Sequence, residues 1–348
     1  MTQPTISFKP KQHTKKLLRG LKDRAQHVVV SRFGLEGDGQ KQTLESIGQQ
    51  YGITRERVRQ IENFAIKAIR KSENFTEARE VFDELKVAID SLGGVVAEEH
   101  LLEHLSDDPV VQNHLHFYLV LGDHFEDLRE NKNFKKRWVT RREVADKVHA
   151  IMEDLYQSLT KHDLLTEEEI LERILGHEHA SDIRNDLSDD TAKRWLALSK
   201  TIQSNPLNEW GRHDSPNVST RGIKDYAYLV MRKNGSPMHF REVAEAISKT
   251  FGKEAHVATC HNELIKDSRF VLVGRGLYGL KQWGYKAGVV REVIEDILRT
   301  KGPLTKEEVV DRVLKERYLK RNTILVNLQN SEYFTRDADG RYHIREDK

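Results

Sequence analysis

The run Thr54-Arg55-Glu56-Arg57-Val58-Arg59-Gln60-Ile61-Glu62 concentrates side chains able to read nucleic-acid base edges. On a helix advancing about 100° per residue, Arg55, Arg59, Glu56 and Gln60 fall within about 140° of one another. Val58, Ile61, Ala65, Ala68 and Ile69 fall on the opposite side. One face therefore packs and the other points outward. Arginine bonds to guanine, glutamine to adenine and glutamate to cytosine, so the outward face carries the chemistry of major-groove readout. Thr54 stands where it can cap the helix, and Arg57 lies beside the reading face. A second candidate is Arg275, set between Gly274 and Gly276 in a hairpin turn, where an arginine can touch phosphate or the minor groove.

Other polar clusters fall short of a site. His100-Leu101-Leu102-Glu103-His104 has the spacing of a zinc-binding helix. In the internal repeat described below, however, His100 aligns with Glu169, Glu242 and Glu308, and His104 with Arg173, Ala246 and Arg312. Those are positions on the outer face of an amphipathic helix. Cys260-His261 and His177-Glu178-His179 lack further ligands, and a single cysteine excludes a disulfide framework. No phosphate-binding glycine loop, nucleophile elbow or carboxylate pair occurs, so no catalytic residue, metal or cofactor is expected.

A reading helix needs a second helix behind it. Leu44 to Tyr51 supplies one, and Gly52 provides the positive φ of a tight turn. Small Gly48 permits close approach, and Ile47, Tyr51, Ile53, Val58 and Ile61 provide the contacts. The charge pattern agrees. Residues 1–71 carry +9, 72–220 carry −14, 221–285 carry +5 and 286–348 carry +2. Basic segments attract polyanions, whereas the acidic middle should repel DNA and serve another purpose. No apolar run exceeds six residues, so neither a membrane span nor a secretory leader is expected, and the chain reads as cytoplasmic.

Beyond residue 72 the sequence repeats. Val95-Val96-Ala97-Glu98, Leu164-Leu165-Thr166-Glu167, Pro237-Met238-His239-Phe240 and Pro303-Leu304-Thr305-Lys306 each open a helix after an apolar pair. Thr166 and Thr305 precede Glu169 and Glu308 at capping-box distance. Each repeat ends on aromatics: Phe134 and Trp138, Trp210, Phe270 and Tyr278, Phe334 and Tyr342. Around Gly274-Arg275-Gly276 and Asp337-Ala338-Asp339-Gly340 these endings read as hairpins. Three helices and a hairpin make a winged helix. The expected fold is mainly α, a helix-turn-helix followed by tandem winged-helix units with small β-hairpin wings. The expected divisions are a basic flexible arm over 1–20, a helix-turn-helix over 21–75, and winged-helix units over 80–145, 146–215, 219–286 and 287–348.

Two segments resemble known families. Phe33-Gly34-Leu35, Gln42 to Gly48, Ile53 to Glu62 and Ala65 to Arg70 resemble region 4 of primary bacterial sigma factors over about residues 20–72. That resemblance implies a helix entering the major groove of a promoter element, contacts to double-stranded DNA at Thr54, Arg55, Glu56, Arg57, Arg59 and Gln60, and docking to the RNA polymerase β flap. Nothing before residue 20 or after residue 72 resembles sigma region 2, which opens DNA, so a complete sigma factor is not expected. Lys224 to Trp283 resembles the HARE-type helix-turn-helix domain, also found in the RNA polymerase delta subunit. That family implies DNA binding, polymerase association or restriction-related roles, with Arg275 on the wing. The combined expectation is a non-catalytic, sequence-specific transcription regulator associated with RNA polymerase. The alternatives are a polymerase-binding protein without base readout and an accessory DNA-binding subunit of a restriction or DNA-processing system.

Overall fold

A computed structural model describes residues 6–183, 187–285, 290–316 and 320–345. The chain forms two compact units, one of Met1–Gln203 with Trp210–His213 and one of Ser204–Glu209 with Asp214–Lys348. Helices dominate, and among the described residues all sheets are small and antiparallel. None of the described helices is long and apolar enough to cross a membrane.

The first unit begins with α1 (Pro10–Leu18), α2 (Asp23–Phe33), α3 (Leu44–Tyr51), α4 (Arg55–Arg70) and α5 (Glu73–Glu77). The flexible arm expected over 1–20 is therefore corrected over its described part. Pro10, Thr14, Leu17 and Leu18 recur at i, i+4, i+7 and i+8 and are buried, while Lys11, Lys15 and Lys16 stay exposed. The lysines mask an amphipathic stripe when composition alone is read.

A winged-helix layout follows: α6 (Arg79–Ser91), β1 (Val95–Ala97), α7 (Glu98–Leu105), α8 (Pro109–Leu121), β2 (Glu126–Leu128) and β3 (Arg137–Val139), with sheet order β1-β3-β2. Next come α9 (Arg142–Ser158), α10 (Glu167–Leu175), α11 (Glu178–Ile183), α12 (Asp189–Leu196), β4 (Ile202–Ser204) and β5 (Trp210–Arg212). Thr166 and Glu169 form the expected capping box at the start of α10.

The sheet β1-β3-β2 is buried on both faces because successive strand residues point to opposite sides. Val96 and Trp138 join the core of α1, α2, α4, α6, α7 and α8. Val95, Ala97 and Val139 join the core of α9, α10 and α12. The Trp195 indole on α12 donates to the Gly93 carbonyl at 3.1 Å, and Arg194 to Leu92 at 3.0 Å. These two bonds fasten α12 to the turn before β1.

The second unit repeats the layout twice. Its first module is α13 (Ile223–Asn234), β6 (Met238–His239), α14 (Phe240–Phe251), α15 (Val257–Lys266), β7 (Phe270–Gly274) and β8 (Leu277–Leu280), with sheet order β6-β8-β7. Its second is α16 (Val290–Lys301), α17 (Lys306–Glu316), α18 (Arg321–Leu328), β9 (Phe334–Arg336) and β10 (Tyr342–Ile344). The boundary expected at 286/287 lies outside the described residues.

The recurring apolar pair has a structural role beyond opening a helix. It pairs with the wing in every repeat: β1 with β3, Leu165 with Trp210, β6 with β8, and Leu304 with Tyr342. The aromatics that close each repeat are thus the partners of the residues that open its second helix.

Candidate nucleic-acid interface

The reading helix α4 is positioned by the α3–turn–α4 element. Thr43 caps α3 by accepting from the Ser46 amide at 3.1 Å, and Thr54 caps α4 by accepting from the Arg57 amide at 3.2 Å. Gly52 sits at φ +61°, where a side chain is disfavoured. At Gly48 the requirement is space. A Cβ there would lie 2.7 Å from the Ile53 carbonyl of the turn, so the close approach is between α3 and the turn backbone. Val28, Ile47 and Val58 are fully buried between α2, α3 and α4, with Leu44, Tyr51, Ile53 and Ile61 around them. This small core sets the angle at which α4 leaves the molecule.

Arg55, Glu56, Arg57, Arg59 and Gln60 are all exposed on the outward side of α4, together with the capping Thr54. They are organised among themselves. The Glu56 carboxylate accepts two bonds from Arg59, at 2.9 and 2.7 Å. Arg57 donates to the Gln60 side-chain oxygen at 3.0 Å. The bond from Arg59 holds the Glu56 carboxyl below the usual carboxylate range. Exposed pairs of this kind contribute little to stability, so a base or phosphate can replace either partner at small cost. Until then the pairing limits rotamer freedom, and the Arg59 guanidinium retains N–H donors for a guanine edge. Behind this face, burial pushes the Glu62 carboxyl up despite Arg32 and Arg59 nearby.

The far end of α4 is anchored by a helix whose role the sequence reading does not anticipate. Arg70 donates to the carbonyls of Leu121 at 3.0 Å and Val120 at 2.9 Å, capping the C-terminal end of α8. At the other end of α8, the Asn113 amide donates to Gly34 at 3.1 Å and Gly39 at 2.7 Å, holding the loop between α2 and α3. Between them Phe117 packs on Phe33 at 5.0 Å. Tyr118 bonds Thr14 and the Pro10 carbonyl, each at 3.1 Å, fastening α1. Two signals for α8 were present: Asp108-Pro109 as cap and first helical residue, and an apolar composition on all sides.

Arg275 belongs to the second unit. It is exposed at the tip between β7 and β8. Gly276 is at φ +72°, and a Cβ there would lie 2.5 Å from the His239 ring. The Phe240 amide donates to the Gly276 carbonyl at 3.0 Å. The start of α14 thus fixes the wing tip that carries Arg275. Elsewhere, the His100 and His104 rings stack with centroids 6.5 Å apart. Among the described residues no group of three or more His, Cys, Asp or Glu side chains is placed to hold a metal. Cys260 is buried, and burial pushes its thiol up to about 11.

Comparison with known proteins agrees with these two segments. Residues 17–71 match the family model for sigma-70, region 4. Residues 221–283 match the HARE-HTH family model, the HTH domain of ASXL and restriction endonuclease proteins. RNA polymerase sigma factor SigA of Listeria monocytogenes is 41% identical over 76 residues, 22% of this chain and 19% of the relative. SigA of Lactococcus lactis subsp. cremoris is 54% identical over 50 residues, 14% of each. The chain thus spans less than a fifth of the length of these relatives. The matched segments are helix-turn-helix types, and the first includes the whole of α2, α3 and α4.

Proposed function

We propose that this protein is a non-catalytic, sequence-specific DNA-binding transcription regulator that works with RNA polymerase. The observation that carries the reading is the outward face of α4. Arg55, Glu56, Arg59 and Gln60 stand exposed on a capped helix, inside a segment that matches sigma region 4. In that reading α4 enters the major groove of a promoter-like element. Arg59 and Gln60 take base edges, Thr54, Arg55 and Arg57 support them on the backbone, and Glu56 discriminates at a cytosine. Arg275 adds a phosphate or minor-groove contact from the second unit. The likeness to SigA extends the proposal to RNA polymerase as protein partner, with the β flap as the docking point.

Two measurements test this. Binding of the full chain to a labelled duplex pool should weaken steeply as salt rises, because phosphate contacts release counterions. Immobilised full chain should retain purified RNA polymerase core. Polymerase retention without duplex binding would convert the protein into a polymerase-docking factor. Duplex binding without retention would point to a DNA-processing accessory.

A further inference from the structure

The four winged-helix modules place a third helix before each wing, the element such folds commonly lay in a DNA groove. The four helices differ in chemistry. On α8, Asn113, Leu115, Phe117, Tyr118, Leu119 and Leu121 are buried, leaving no groove-facing surface. Helix α12 opens on Asp189 and Asp190, which repel phosphate. Helix α15 exposes apolar Val257 and Ile265. Helix α18 alone exposes a row of base-reading types.

On α18, Ile324 and Leu328 face the module core. Asn322, Val326 and Gln329 recur at i, i+4 and i+7 on the opposite side, all exposed, with Thr323 beside them. Val326 is 65% exposed, an unusual position for an aliphatic side chain unless an apolar contact awaits it. Asparagine and glutamine amides match the adenine major-groove edge, and valine and threonine methyls match the thymine methyl. The helix start is also unlike its neighbours. Helix α17 opens on Glu307 and Glu308, whereas α18 has no acid in its first turn and begins Lys320-Arg321. Cations at a helix N-terminus oppose the macrodipole unless an anion lies there. The wing that follows exposes Arg336, Arg341 and Arg345. Within it, Asp337 is engaged by the Arg341 amide at 2.8 Å and His343 at 2.7 Å.

We propose that α18, with the arginines of its wing, is a second duplex-DNA-reading element, directed at A·T base pairs. It shares only the ligand class with the function proposed for α4 and is carried by different residues.

The test is a binding selection on random duplexes with the full chain, comparing wild type, Arg59→Ala and the double variant Asn322→Ala/Val326→Ala. Wild type should return two sequence elements, one of them A·T-rich. The double variant should lose the A·T-rich element, bind the complete site about tenfold or more weakly, and keep the other element. An unchanged motif in the double variant overturns the proposal while leaving α4 readout standing. Loss of the A·T-rich element with Arg59→Ala still giving the wild-type motif supports α18 and overturns α4. As a check independent of base readout, Arg336→Ala/Arg341→Ala should lower the salt slope by about 0.9 per phosphate contact removed. An unchanged slope overturns the wing's part. Wild-type DNA selection by the double variant, accompanied by loss of RNA polymerase retention, would make α18 a protein-docking face instead.

Discussion

Helices α4 and α8 lie in the same unit, are joined through Arg70, and spend their sequences in opposite ways. Helix α4 has a buried stripe of Val58, Ala65 and Ile69 and an exposed charged face. Helix α8 is buried on most sides and grips the helix-turn-helix at both ends. The contrast shows that a sigma-like segment need not fold by itself. Here Leu17, Phe33, Ala65 and Ile69 share one core with Leu85, Leu115, Phe117 and Trp138. The DNA-facing helix is oriented by a module that has surrendered its own groove helix to the task.

The most damaging way to break this comparison is to hollow the platform. Phe117 is fully buried, so Phe117→Ala should cost about 3–5 kcal/mol of stability and take duplex binding with it. Urea unfolding of the full chain checks the first effect and anisotropy on a duplex the second. Wild-type stability in this variant would remove α8 from its assigned role.

Acid should act on the same unit next. Burial holds His114, His116 and His149 down to about 4, from an ordinary 6.5. His149 also accepts a bond from Arg137 at 2.7 Å, which requires its neutral ring. A depressed histidine pKa means that the unfolded chain binds more protons between these values. The stabilisation is therefore complete above pH 6.5 and is lost as pH falls from 6.5 towards 4. Urea midpoints should drop from pH 7.5 to pH 5, and a flat profile would contradict the buried neutral rings.

A smaller change sharpens the comparison. Asn113→Ala leaves the Gly34 and Gly39 carbonyls without their donor, at a cost of about 1–3 kcal/mol. DNA binding should weaken for all sequences alike, because the reading side chains are untouched. A changed sequence preference would show that α8 tunes readout as well as support.

The reading element was legible because its constraints are local. A cap, a turn glycine, a small residue at a close approach and one amphipathic helix all lie within Thr43 to Ile61. The repeat was legible for the same reason, since each unit carries its own helix starts and aromatics. What escaped was long-range. Nothing near Arg70 or Asn113 announces that each bonds a segment 50 or more residues away. The strand at Val95–Ala97 reads as the approach to a helix, because three residues are too few to show period-2 alternation. Helix α1 was obscured by Lys11, Lys15 and Lys16, which border a stripe that only its packing against α8 reveals.

The central claim is that α4 reads bases while α8 supports it. The most direct test is Arg59→Ala in the full chain, measured on a duplex carrying the selected site and on its single-base variants. Arg59 is exposed, so stability should stay within about 0.5 kcal/mol of wild type. Discrimination should fall by about 1–3 kcal/mol at one or two base pairs, with affinity for the remaining variants largely kept. Unaltered discrimination at every position would contradict base readout by α4 and leave the segment a docking surface for polymerase.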